Sequence, residues 1–246
     1  MTTEGWLRPD WPAPAGVRAA VSTREVPGAS AEPFARFNLG SRCGDAPAAV
    51  AANRAALETM LGLPATPRWL RQVHGIAVAE SGGDGAEPEA DAAVTRTRGE
   101  PLAILTADCL PVLFCAADGS EVAAAHAGWR GLAGGVLEAT LRHMRTPPGA
   151  AMAWLGPCIG AASYEVGAEV REAFVADDAG DEACFALTRP GHWLCDLAGL
   201  ARRRLARAGV PAIYGGGFDT LADPRFYSYR RDAARSGRFA TLIWLE

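Results

Sequence analysis

Three residues combine a metal-competent side chain with a position at the end of an apolar run. His74 follows Trp69-Leu70-Arg71-Gln72-Val73, Cys109 follows Leu102-Ala103-Ile104-Leu105-Thr106-Ala107-Asp108, and His126 follows Val122-Ala123-Ala124-Ala125. A strand holds its backbone fixed while the loop beyond it opens to solvent, which is where sheet proteins carry functional groups. Two imidazoles and a thiolate make a catalytic zinc set, three protein ligands with a fourth place left for water, and the paired CxxC knuckles of structural zinc are missing. The same residues admit two other readings. The histidines can be hydrogen-bonded residues at strand ends with Cys109 a small buried hydrophobe. Alternatively, Cys109 is a nucleophile assisted by a histidine, with Asp108 at hand to orient the imidazole. No local motif joins the three, so spacing leaves the choice open.

Two further segments carry chemistry. His126-Ala127-Gly128-Trp129-Arg130-Gly131-Leu132-Ala133-Gly134-Gly135 puts glycines between a strand and a helix. Free backbone N–H groups and the positive helix end there suit an anion, to which Arg130 adds a bidentate contact; equally, the glycines allow a tight turn with Trp129 in the core. Phe226-Tyr227-Ser228-Tyr229-Arg230-Arg231-Asp232 can stack a flat base and hold a phosphate or ribose oxygen. Its plainer reading is a strand with an exposed arginine edge before the turn at Ser236-Gly237.

The elements that must position these groups alternate irregularly. Strands are expected at Val17 to Thr23, Arg68 to Val73, Ile76 to Glu80, Ala92 to Thr95, Leu102 to Thr106, Val112 to Ala116, Glu121 to Ala125, Ala151 to Leu155, Pro211 to Tyr214 and Arg238 to Leu245. Asp45 as N-cap, Pro47 in the first turn and Gly62 past the end mark a helix to Leu61. Further helices are expected at Gly131 to Met144, with Leu132, Val136, Leu137 and Leu141 on one face, at Gly167 to Val175 and at Leu197 to Ala208. Ser81 to Glu89 reads as a Gly- and acid-containing loop. The expected fold is one α/β domain over 1–246, with α+β tendency and mixed β-sheets flanked by helices.

Composition excludes several classes. All 24 basic side chains are arginine, so Schiff-base chemistry, covalently held pyridoxal phosphate and a Walker lysine are ruled out. Total replacement of lysine reflects base-composition bias, so arginine number alone says little. A formal charge of -4 argues against nucleic-acid binding, and no apolar run approaches the ~18 residues of a membrane span. The opening Met1 to Trp6 lacks a signal-peptide pattern, and a cytoplasmic protein with reduced thiols at Cys43, Cys109, Cys115, Cys158, Cys184 and Cys195 is expected.

Taken in order, these segments resemble the YfiH-like family, long labelled polyphenol oxidase or laccase-domain proteins and later described as purine nucleoside phosphorylases. The resemblance rests on Phe37-Asn38-Leu39-Gly40, Gln72-Val73-His74-Gly75, Ala90-Asp91-Ala92, Thr106 to Val112, His126 to Gly131, Leu155-Gly156-Pro157, Tyr164-Glu165-Val166-Gly167 and Phe226 to Asp232. It implies an α/β fold with mixed sheets, related in outline to cysteine-hydrolase-like toxins, and zinc held by His74, Cys109 and His126. It also implies phosphorolysis of adenosine, inosine, guanosine and methylthioadenosine, and deamination of adenosine. Cys109, Asp108 and Arg130 are then expected at the reacting centre, Asp108 as proton carrier or partner of a ligand. Arg71, Gln72, Asn38, Arg230 and Tyr229 are expected to hold nucleoside and phosphate, in a monomer or small homo-oligomer. Two departures stand out: Ser41-Arg42-Cys43, where family members often have a histidine, and Asp219, where they often have a cysteine.

Competing readings are an amide hydrolase editing a cell-wall precursor through Cys109 or zinc-activated water, a copper polyphenol oxidase, and a binding module without turnover. A multicopper site needs more imidazoles than His143 and His192, the two left over.

Overall fold

The structure is a computed structural model that describes residues 5–80, 82 and 87–246. Ser81 and 83–86 of the expected acidic loop, like the first four residues of the opening segment, lie outside the described residues. In chain order the elements are β1 (Trp6–Leu7), β2 (Val17–Ser22), α1 (Pro47–Leu61), β3 (Val78–Glu80), β4 (Ala92–Thr95), β5 (Leu102–Thr106), β6 (Leu110–Ala116) and β7 (Val122–Ala127). There follow α2 (Trp129–Gly134), α3 (Val136–His143), β8 (Ala151–Leu155), β9 (Glu165–Gly167), α4 (Ala168–Val175), β10 (Phe185–Arg189), β11 (His192–Cys195), α5 (Leu197–Arg207), β12 (Ala212–Gly215), α6 (Tyr229–Asp232) and β13 (Phe239–Leu245).

Side-chain alternation stacks these elements. Six strands run in the order β12-β8-β6-β7-β4-β3, mixed in direction, and four in the order β1-β2-β13-β5. On β7, Val122 and Ala124 face one way and meet Val21, Leu102, Ile104 and Ile243 of the four-stranded sheet. Ala123, Ala125 and Ala127 face the other way, against Leu132, Val136, Leu137 and Leu141 of α2 and α3 and Leu200 and Leu205 of α5. Leu57 of α1 covers Ala20, Ala103, Ala240 and Leu242 on the outer face of the four-stranded sheet. The result is a mixed α/β architecture of helix, sheet, sheet and helices, each apolar face covered by the next layer. Among the described residues no helix is long and apolar enough to cross a membrane.

The local departures from the sequence expectations have physical causes. The segment before His74 makes only isolated bridges, Arg68 with Leu102 and Arg71 with Glu89. Strand pairing is replaced at Gln72 by its side-chain amide, which donates to the Leu105 carbonyl (2.8 Å) and accepts from the Leu105 N–H (2.9 Å). His126 lies inside β7, not beyond it, because pairing with β6 runs on through Leu110–Ala127. The expected helix from Gly131 starts at Trp129 and breaks at Gly135 (φ 94°), whose left-handed backbone glycine alone adopts freely. Asp45 does not cap α1: one of its oxygens accepts from Ser30 and Asn38, and Ala46 takes the cap position without a side-chain bond. The segment from Phe226 turns into α6, capped by the Ser228 hydroxyl, and does not form a strand. A third sheet, β10-β11-β9, arises from residues not read as strands.

One buried carboxylate ties α5 to the loop before β10. Asp181 is fully buried and accepts from Arg203 (2.6 Å) and Arg207 (2.7 Å). Burial alone would raise its pKa, but the hydrogen bonds of Arg207 and Arg203 outweigh it and hold the carboxyl below its usual range. A carboxyl depressed in the folded state contributes stability above its unfolded pKa, about 3.9, that is lost as pH falls through the folded value. Asp181→Asn is therefore expected to lower the urea midpoint at neutral pH and to flatten its decline on acidification; an unchanged acid profile would count against the pairing.

Candidate metal centre and cavity

The crossing between the two sheets builds the site. Thr106 ends β5 in one sheet and Leu110 starts β6 in the other, so Ala107-Asp108-Cys109 bridges the layers beside the end of β7. His126 shares its strand parity with Val122 and Ala124 and so points between the sheets. One donor atom each from His74, Cys109 and His126 lies within 4.8 Å of the others, and the set runs from buried His126 through half-buried Cys109 to exposed His74. The Cys109 sulfur is 3.8 Å from His74 Nε2, and the two imidazoles meet edge to face at 4.8 Å between centroids.

Asp91 organises both histidines. Its carboxylate is fully buried and accepts from His126 Nδ1 (2.8 Å) and from the successive N–H groups of Val73 (3.1 Å), His74 (2.9 Å) and Gly75 (2.7 Å). Turning those N–H groups to one point requires His74 to take a left-handed backbone, φ 62°, a conformation costing a non-glycine residue about 1–3 kcal/mol. The bond at Nδ1 leaves His126 Nε2 facing Cys109 as the atom that could serve a metal.

Electrostatics favour the thiolate. Burial alone would push the Cys109 thiol up, but the charge and hydrogen bonding of His126, then of His74, bring it down to about 6. Burial would lower His126; the charge of Cys109 and the bond to Asp91 outweigh it and raise its pKa. Cys115, by contrast, is pushed up to about 12 by burial.

The donor set fits a metal ion. Tetrahedral zinc with bonds of ~2.0–2.3 Å sets its ligands roughly 3.3–3.8 Å apart, and the Cys109–His74 separation already falls there. Gly128 makes that approach possible: a Cβ there would stand 2.9 Å from the His74 ring and 3.0 Å from the Cys109 sulfur. Gly128→Ala is accordingly expected to lower metal retention about 10–100-fold, the range for disturbing groups that position ligands, with its circular dichroism unchanged. Retention equal to that of the parent chain would refute this account of the glycine.

A cavity of about 470 Å³ opens over the trio, within the ~300–1,000 Å³ typical of small-molecule sites. Its wall includes Gln72, Asp108, Arg130, Tyr229 and Arg230, all anticipated, together with Arg42, Tyr164 and Arg238, whose contribution the sequence did not disclose. Arg130 lies over the Trp129 ring at 4.4 Å and Arg230 over Tyr164 at 5.3 Å. Arg71 and Asn38 are not part of the wall. Arg71 pairs with Glu89, and buried Asn38 bonds Gly40, Asp45 and the N–H of Arg238. Asp108 (φ 85°) accepts from Thr220 (2.6 Å), Ser228 (3.0 Å) and the N–H of Arg230 (2.6 Å), latching the Cys109 loop to α6. Asp219, one of the two departures, ties Gly160 and Ser163 together.

A family model described as multi-copper polyphenol oxidoreductase laccase matches residues 18–246. The chain is 55% identical over 248 residues to the purine nucleoside phosphorylase of Xylella fastidiosa (strain Temecula1), covering 96% of this chain and 95% of that one. It is 49% identical over 239 residues to purine nucleoside phosphorylase YfiH of Escherichia coli K12, covering 96% and 97%. Among solved structures, a Neisseria meningitidis protein matches with TM-score 0.95 at 45% identity, over 99% of this chain and all of the other (100%). YlmD from Geobacillus stearothermophilus matches with TM-score 0.89 at 32% identity, over 100% and 98%. The span from 18 to 246 includes every residue named in the cavity wall.

Proposed function

The chain belongs to the multi-copper polyphenol oxidoreductase laccase family, and from that premise we propose that it is a zinc-dependent purine nucleoside phosphorylase that also deaminates adenosine. Adenosine, inosine, guanosine and methylthioadenosine are its proposed substrates. The observation that carries this reading is the placement of His74, Cys109 and His126 together on a cavity whose wall supplies aromatic rings and guanidinium groups. Zinc, held by those three residues, would supply a Lewis acid beside the substrate. Tyr229 and Tyr164 offer flat faces for a purine. Arg130 and Arg230 hold inorganic phosphate by paired hydrogen bonds, next to the sugar, so that its oxygen attacks C1′ while the N-glycosidic bond breaks. The base leaves with the bond electrons and takes up the proton given up by the attacking hydrogen phosphate. Asp108, its oxygens already engaged, acts in this reading as a positioning residue for Arg230.

Zinc is favoured over copper by the remaining imidazoles. His143 bonds the Ala139 carbonyl within α3, and His192 sits on the β10–β11 hairpin; neither reaches the cavity wall. A multicopper centre would need imidazoles for each further ion.

The test is incubation of the purified chain with adenosine or inosine, with and without phosphate, alongside metal analysis. Phosphate-dependent release of free base and ribose 1-phosphate is expected, with inosine formed from adenosine. No base release at any phosphate concentration would overturn the reading.

A second reading has its own support: Asp91, His126 and Cys109 form an ordered carboxylate–imidazole–thiol series with a depressed thiol. It corresponds to an amide hydrolase acting on a cell-wall precursor. Amide hydrolysis blocked by a thiol alkylator and indifferent to chelation would favour it over the zinc enzyme.

A further inference from the structure

The arginines of the cavity outnumber what a neutral nucleoside and one phosphate require. The whole chain carries 24 basic against 28 acidic side chains. The cavity wall reverses that balance, with Arg42, Arg130, Arg230 and Arg238 against the one carboxylate of Asp108, whose oxygens are engaged by Thr220, Ser228 and a backbone N–H. Among the described residues Arg130, Arg230 and Arg238 have no carboxylate in ion-pair reach. Arg230 donates to the Glu165 carbonyl, and Arg238 donates to the carbonyls of Ser236 and Gly237. Arg42 pairs with Glu87 at 2.7 Å, but Glu87 also pairs with Arg54 at 2.8 Å, so one carboxylate serves two cations.

The four fall into two groups. Arg130 of α2 and Arg230 of α6 share the Tyr164 side, where both influence the phenol. Arg42 and Arg238 share the wall formed by Gly40 to Cys43. Gly40 is pressed against the Arg238 stem, its absent Cβ standing 2.7 Å from Arg238 Cγ, and the Arg238 guanidinium lies 5.9 Å from the Tyr229 ring. A single phosphate is met by one such group through bidentate bonds. With a free nucleoside bound, the other group would face only carbonyls, rings and a shared glutamate, which leaves its positive charge without a full counter-charge.

Resting on the reading of this cavity as a purine nucleoside site, we infer that Arg42 and Arg238 form a second anion subsite, and that the preferred ligands are purine nucleosides carrying their own 5′-phosphate. The first group takes inorganic phosphate and the second the phosphate ester. Arg42 contributes to this preference because it adds a second cation to the wall while sharing its partner Glu87 with Arg54.

Calorimetric titration of the metal-loaded chain with inosine and with inosine 5′-monophosphate tests this, with sulfate at one fixed concentration to fill the inorganic-phosphate position. The nucleotide is expected to bind at least about 10-fold more tightly than inosine, the scale of charged hydrogen bonds to a phosphate, with the preference shrinking as salt is raised. Arg42→Gln is expected to reduce that ratio about 5–10-fold. Arg238→Gln, which removes the guanidinium charge, is expected to reduce it as well. Equal affinities, or a ratio unchanged in Arg42→Gln, would overturn the subsite. If inosine is phosphorolysed while its 5′-phosphate binds no better, this inference fails and the phosphorylase reading stands; if neither compound binds and no base is released, both fail.

Discussion

Cys109→Ala is expected to abolish stoichiometric metal retention and to lower phosphorolysis by more than about 100-fold, beyond the ~10–100-fold loss that follows from disturbing a group outside the ligand set. Donor chemistry sets this expectation. Two imidazoles alone form a weak site for a borderline-soft ion, and the thiolate supplies both the negative charge and the third ligand. Cys109 is the thiol that the fold prepares for this. It lies beside His74 at 3.8 Å, and the charge and hydrogen bonding of His126 and His74 overcome its burial and bring it down to about 6. Burial instead pushes Cys115, which has no such partners, up to about 12. The measurement is metal content after dialysis, read beside base release. A variant that keeps one ion per chain would remove Cys109 from the ligand set. One that loses the ion yet keeps its turnover would remove the metal from the reaction.

The part of this site that was legible in the sequence is the part written in residue type. His74, Cys109 and His126 stood out as candidates because few side chains bind metals, but their spacing left three readings open and the family resemblance alone joined them as a ligand set. The mixed α/β fold was legible as short apolar runs punctuated by turn residues; which layer each face of Leu110–Ala116 and Val122–Ala127 meets was not, because every residue of both strands is buried. Which arginines turn inward was legible only in part: Arg130 and Arg230 were anticipated on the wall, Arg42 and Arg238 were not, and Arg71 was expected there but is absent. Arg71 and Arg238 flank equally plausible motifs, but Arg71 finds Glu89 across a short bridge. Arg238 is instead bent toward the cavity by bonds to the carbonyls of its own turn. Gln72 was anticipated as a ligand to substrate, and it lines the cavity; its amide, however, holds Leu105 in place of a missing strand partner, a use that only the tertiary pairing reveals. Asp91 shows the limit most clearly. It sits in Ala90-Asp91-Ala92, a word that reads as the start of an apolar strand, and its partners lie 16 to 18 residues before it and 35 after it. A carboxylate in such a run is a signal of buried polar work, but nothing local says which donors it serves.

Asp91→Asn follows from that geometry as the second large effect. The carboxylate receives four N–H donors and offers none; an asparagine oxygen can keep two of these bonds, while its amide N–H₂ is turned toward the remaining donors. Each buried donor left without an acceptor costs about 1–3 kcal/mol, and the left-handed backbone of His74 loses the bonds that hold it there. At His126 the loss is of a different kind. With its Nδ1 proton no longer fixed by a carboxylate, the imidazole is free to take the other tautomer, which puts a proton on the Nε2 that must bind metal. The expected result is therefore a coupled one: a drop of about 2–6 kcal/mol in unfolding free energy from the two orphaned donors, and metal affinity about 10–100-fold weaker. Urea unfolding with the ion removed isolates the first effect, and competition with a chromogenic chelator under folding conditions isolates the second. Asp91→Glu is the discriminating companion, because it restores charge and acceptors but displaces them by one methylene. If it recovers stability without metal affinity, the position of the carboxylate, and not merely its charge, sets the two histidines. If Asp91→Asn binds metal as tightly as the parent chain, His126 needs no help from Asp91, and the orienting role assigned to this carboxylate is wrong.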